Sequence, residues 1–195
     1  MALLAVLLFA GCGGGAGAAD DAGSNDGSAG APAQTDTLSG DLEDIISQLF
    51  ENSDAEIPAT FQDAATAESA SGQLGLTADE FKKYVTDSSV STAAINAQAF
   101  EVALIKTMDA DAAAEVAALV AKGFDSGKWI CVFPEQSLTS TSGSYVLLAV
   151  GSKEQTDGIA AAFKTLAGDN ATSAVFYEGP AGGGDGGGGG GLLLG

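Results

Sequence analysis

Glycine is concentrated at the two ends of this chain, and that distribution limits what the rest can become. Of 28 glycines in 195 residues, eight lie in residues 13–40 and eleven in residues 179–195. Glycine loses more backbone freedom on ordering than any other residue and brings no side chain to bury. Neither end can offset its chain entropy with a core of its own. A packed structure must come from the roughly 140 residues between them, enough for one domain.

Charge narrows the chemistry. Seven Lys face 26 acidic residues, a net charge of −19, and the chain has no Arg and no His. Such a field repels phosphate backbones, so nucleic acid is excluded as a partner. Without His there is no Ser-His or Cys-His dyad and no His-ligated metal. Without Arg there is no bidentate clamp for carboxylate or phosphate.

The N-terminus reads as an address. Ala2–Phe9 is wholly apolar and far shorter than the roughly 20 residues of a membrane-spanning helix. It has the length of a secretory h-region, with small residues following. The step Phe9-Ala10-Gly11-Cys12 resembles a bacterial lipobox, in which the Cys is lipidated and becomes the mature N-terminus. The pattern departs from that motif in having no Lys or Arg before the apolar run. The resemblance implies a signal peptide over residues 1–11 and lipid attachment at Cys12. It also implies a place at the extracytoplasmic face of a bacterial cell membrane. Several acyl chains anchor stably where one does not. Residues 12–40 then form a solvated Gly/Ala/Asp tether. Asp20, Asp21 and Asp26 lack the spacing of a calcium loop and serve to solubilise it.

Residues 41–178 carry the periodic patterns of one α+β domain. Leu42, Ile45, Ile46, Leu49 and Phe50 share one face of a helix over Asp41–Asn52. Residues 53–75 are ambiguous. Thr77 and Glu80 form a capping box for a helix over Ala78–Asp87, with Leu76 positioned to staple onto Phe81. Ala99–Met108 alternates as a strand. A helix capped by Asp109 or Asp111 runs to Lys122, and Gly123 stops it. Lys128–Phe133 is a short apolar run ended by Pro134, read as a strand; Gln136–Gly143 reads as a turn. Ser144–Gly151 is the plainest strand in the chain. Ser152 and Gln155 form a second capping box for a helix ending at Gly168, and Thr172–Glu178 is a last strand.

From Ala99 onward the order is β-α-β-β-α-β, which predicts a four-stranded ferredoxin-like sheet with both helices on one face. The strands are apolar on both sides, so the second face must also be covered. The N-terminal helices are predicted to pack there through Ile45, Leu49, Phe81 and Tyr84. Residues 179–195 are a Gly-rich tail: no strand, Lys-Ser/Thr pair or helix follows, as a phosphate loop needs.

Four stretches resemble the DUF4358 domain family. They are Asn96-Ala97, Glu101–Lys106, Phe133–Gln136 and Gly143–Leu148, within a likeness spanning about Leu42 to Leu166. The chain departs from that family in its Gly-rich end and its lack of Arg. The resemblance implies a short lipoprotein of a Gram-positive anaerobe. It supplies neither an activity nor catalytic residues.

Few residues invite chemistry. Cys131 lies between Ile130 and Val132 and is expected to be a buried core thiol. Glu101, an acid in an apolar strand, is expected in a buried pair, with Lys as a candidate partner. Trp129, Tyr145 and Tyr177 are candidate stacking residues for a ligand, though aromatics in strands more often build core. The expectation is a lipid-anchored, non-catalytic binding or accessory module without metal or cofactor. Its partners would be the membrane and an unidentified protein or surface ligand. The alternative is a small surface hydrolase that uses carboxylates alone, which would need two of them facing each other across a cleft.

Overall fold

A computed structural model describes residues 38–95, 97–168 and 170–179. The first helix, α1 (Leu42–Glu51), buries Leu42, Ile45, Ile46 and Leu49, the i, i+3, i+4, i+7 stripe its sequence carries. A short strand β1 (Thr60–Asp63) and one turn of helix α2 (Ala70–Leu74) follow. Helix α3 (Ala78–Tyr84) begins on the capping box: Thr77 accepts from Glu80 N–H, and the Glu80 carboxylate accepts from Thr77 N–H. The chain then passes directly into strand β2 (Val85–Ala93).

Strand β3 (Glu101–Thr107) leads to α4 (Ala110–Gly123), where Asp109 Oδ1 accepts from Ala112 N–H at 2.8 Å. Strands β4 (Gln136–Ser142) and β5 (Tyr145–Gly151) form a hairpin turned by Gly143, whose φ of 54° suits glycine. Helix α5 (Lys153–Ala167) starts on the Ser152/Gln155 capping box, and β6 (Thr172–Glu178) ends the fold.

The sheet has six strands in the order β1-β2-β3-β5-β4-β6, antiparallel throughout. The central strands close two cores. Val102, Leu104, Tyr145, Leu147 and Ala149 meet α1 and α5 on one face. Ala103, Ile105, Val146, Leu148 and Val150 meet α2 and α4 on the other.

The four-stranded ferredoxin-like expectation is therefore wrong, for two reasons. Two strands lie in segments read as ambiguous or helical, β1 within residues 53–75 and β2 in the tail of the Ala78–Asp87 helix. More consequentially, β2 occupies the edge of β3 where a ferredoxin-like sheet would receive its last strand. β6 pairs with β4 at the far side instead. Both crossovers, β3-α4-β4 and β5-α5-β6, then step two places in the same direction from strands that run oppositely. Right-handed connections of that kind put their helices on opposite faces, as the two cores record.

Both faces are covered, but not as expected. α1 shares its face with α5, while Phe81 and Tyr84 of α3 lie against the α4 face, partly buried. A second correction concerns strand identity. Lys128–Phe133 is loop, and the Ser/Thr-rich Gln136–Ser142 is a buried strand rather than a turn.

Candidate functional site

The connection from α4 to β4, residues 124–135, wraps one end of the sheet, and two glycines set its course. A Cβ on Gly75 would sit 2.2 Å from Phe124 N, and one on Gly123 would sit 2.1 Å from Gly75 O. Only this pair lets the end of α2 touch the end of α4. Gly75 also has a φ of 72°, which side chains rarely adopt.

That approach brings Lys128 across to α2 and the sheet. Its Nζ donates to Glu101 Oε2 at 2.7 Å and to Gly72 O at 2.9 Å. It also lies 4.6 Å from the ring centre of Phe124 and 5.0 Å from that of Trp129. Glu101 is 1% exposed, and its Oε1 has no hydrogen-bond partner. Burial pushes its carboxyl up to about 7, against the opposing pull of the Lys128 ammonium. The buried acid-lysine pair foreseen for Glu101 is present, on a central strand, and Lys128 fills the space beside the acid.

Beyond Lys128 the chain runs extended over the sheet end. Ile130 is 94% exposed and Phe133 52%; Cys131 is exposed and Val132 half-buried. The expectation of a buried core thiol at Cys131 is thus overturned, because its segment joins no sheet. Among the described residues, none of residues 129–133 makes a backbone-backbone hydrogen bond. Ile95, on the neighbouring β2–β3 loop, is also exposed.

Between that loop, residues 132–135 and the start of α5 lies a cleft of about 280 Å³. Its polar groups are largely committed. Ser152 and Gln155 cap each other, and Glu135 Oε2 accepts from Lys153 N–H at 3.0 Å. Glu135 is the one carboxylate lining the cleft. Below it, buried Gln136 donates to Thr156 Oγ1 and Asp157 Oδ1 at 2.9 and 2.8 Å. Lys153 pairs with Asp157 at 2.8 Å, which holds that carboxyl below its ordinary range.

The candidate stacking residues do not converge. Tyr145 is 1% exposed in the α1/α5 core, and its hydroxyl donates to Leu38 O at 3.2 Å. Trp129 packs half-buried against the opposite core, tilted on Phe124. Tyr177 is half-buried on edge strand β6, opposite Ser137. Phe9, Ala10, Gly11 and Cys12 lie outside the described residues, as do the tether up to residue 37 and the tail from residue 180. Among the described residues, no helix is long and apolar enough to cross a membrane, and no group of three His, Cys, Asp or Glu is placed to hold a metal ion.

Sequence reasoning missed the exposed segment because Lys128–Phe133 is apolar on both alternating sets. A central strand and a bare docking loop share that signature. The flanking Asp125-Ser126-Gly127 and Pro134 were the signal that favoured a loop. No family model, no curated protein and no solved structure matches this chain. The likeness to DUF4358 domains rests on the quoted residues alone.

Proposed function

We propose that this protein is a lipid-anchored extracytoplasmic binding module. Cys12 carries the anchor, and the apolar segment Ile130–Phe133 with its cleft engages a partner. One observation carries the binding half. Four consecutive apolar residues lie on the surface of a fold whose central strands are closed on both faces. Exposed apolar patches of that kind mark interaction sites. The anchor half draws on the Phe9–Cys12 step and fits the resemblance to a family of short lipoproteins.

The carboxylate-only hydrolase has less to support it. Glu101 has a pKa suited to proton transfer, but Lys128 occupies its open side, and Glu135 alone lines the cleft. A paired-carboxylate mechanism needs a second acid roughly 5–10 Å away across the substrate.

The test is purification of the anchored chain from detergent-solubilised native membranes, beside Ile130→Ser. Intact mass should place the lipid on Cys12, and a partner recovered with the natural chain should be lost from the variant. Soluble protein that keeps Ala2 would sink the anchor. An identical set of co-purifying proteins would sink the binding surface.

A further inference from the structure

The binding reading leaves the partner's class open, and three features of the sheet end define it. The first is geometric. Residues 129–133 have backbone N–H and C=O groups without backbone partners, beside the exposed side chains of Ile130 and Phe133. An extended peptide can use both, through main-chain hydrogen bonds and alternate side chains, as in strand-addition recognition.

The second is charge. The two lysines beside the segment and cleft, Lys128 and Lys153, are paired with Glu101 and Asp157. Asp125, Glu135, Glu154 and Glu178 stand around them without an ion pair. The rim is therefore negative, on a chain of net charge −19.

The third is position. The described chain begins at Leu38, which Tyr145 at the start of β5 holds by its carbonyl. The cleft lies at Gly151, the other end of β5. At about 3.3 Å per residue, the two ends are roughly 20 Å apart. The lipid-bearing end thus joins the fold away from the apolar segment, and an anionic bilayer would repel the rim.

We infer that the Trp129–Pro134 segment and its cleft dock an extended peptide of a partner protein in which apolar residues alternate with Lys or Arg. In a strand that alternation puts the apolar set against Ile130 and Phe133 and leaves the basic set to reach the acidic rim. The inference rests on the binding reading and adds the partner's chemistry to it.

Trp129 is the only Trp in the chain, so its emission reports directly on the segment. The full chain carrying Cys12→Ser, which cannot be lipidated, is titrated with the capped peptide Lys-Val-Lys-Leu-Lys-Phe-Lys. A second titration uses the same peptide with Glu for Lys, and a third uses phosphatidylglycerol/phosphatidylcholine vesicles. The Lys peptide should give a saturable shift and slow amide exchange at residues 130–133. Its affinity should fall at least tenfold in Ile130→Ser and in 0.5 M NaCl. The Glu peptide should bind at least tenfold more weakly.

Equal binding of the two peptides would overturn the charge assignment. Absence of both the shift and the exchange protection would overturn the peptide itself. A response to vesicles alone would assign the segment to lipid. In each of those cases, loss of the natural partner from Ile130→Ser would still leave the broader binding reading standing.

Discussion

Glu101 sets two opposing forces on one carboxyl. Desolvation favours its neutral form and the Lys128 ammonium its charged form; desolvation dominates, and the group titrates near 7 against 4.5 when free. Between those values the folded state holds a proton that the unfolded chain has released. The contribution of neutral Glu101 is therefore complete below about pH 4.5 and is lost as pH rises through 7, on the order of 3 kcal/mol in all. Urea denaturation should show the stability of the natural chain falling between pH 5 and 8 relative to Glu101→Gln. Parallel curves for the two proteins would contradict the assignment. Gly75 makes the complementary point about space. Gly75→Ala meets the backbone of Phe124 and a positive φ, whereas a Cβ at Gly72 meets nothing within 4 Å. The first should cost more than the roughly 1–2 kcal/mol of a left-handed backbone alone, and the second well under 1 kcal/mol. Equal melting shifts would show that α2 does not press on α4. In the sequence Glu101 was visible as an acid in need of a partner. Which Lys reached it depended on how the 124–135 loop runs, and that follows from the Gly75–Gly123 contact, which no local pattern encodes.

At the scale of elements, capping chemistry and the amphipathic helices were legible, and strand identity was less so. Both capping boxes and the burial stripe of α1 stand as read. Hydrophobicity misassigned one strand pair. The apolar Lys128–Phe133 is loop, while Gln136–Ser142, with five Ser or Thr residues, is interior sheet. Its hydroxyls do not make the local turns that such residues usually favour. Ser140 and Ser173 lie 2.6 Å apart across β4 and β6, Thr141 and Thr172 2.8 Å, and Ser137 meets Ser126 from the α4–β4 loop at 3.1 Å. Their partners lie 31, 33 and 11 residues away, beyond the reach of any window of sequence. β5 was read correctly because every residue in it is apolar or small, and every one is buried. Leu147 and Leu148 point into opposite cores. Changing either to Ala should cost about 2–5 kcal/mol in a denaturation experiment. A loss at only one of the two positions would mean that one face of the sheet is not closed.

For the whole molecule, one pairing choice decides the architecture. Element order from β3 onward was correctly read, yet β2 takes the edge that a ferredoxin-like sheet reserves for its last strand. That single occupation sends β6 outward and divides α4 and α5 between the faces. The N-terminal elements then complete both layers instead of roofing one. Order along the chain cannot reveal it, because edge competition is settled by strands far apart in sequence. What the layers leave uncovered is the end of the sheet where Ile95, Ile130 and Phe133 are exposed, and the account makes that end the working surface. Photo-crosslinking in the native cell tests this most directly. A photoreactive residue replaces Ile130 or, as a control on the exposed side of α5, Thr165. The account predicts a discrete adduct from position 130 and none from position 165. No adduct from position 130, or the same adducts from both positions, would contradict it.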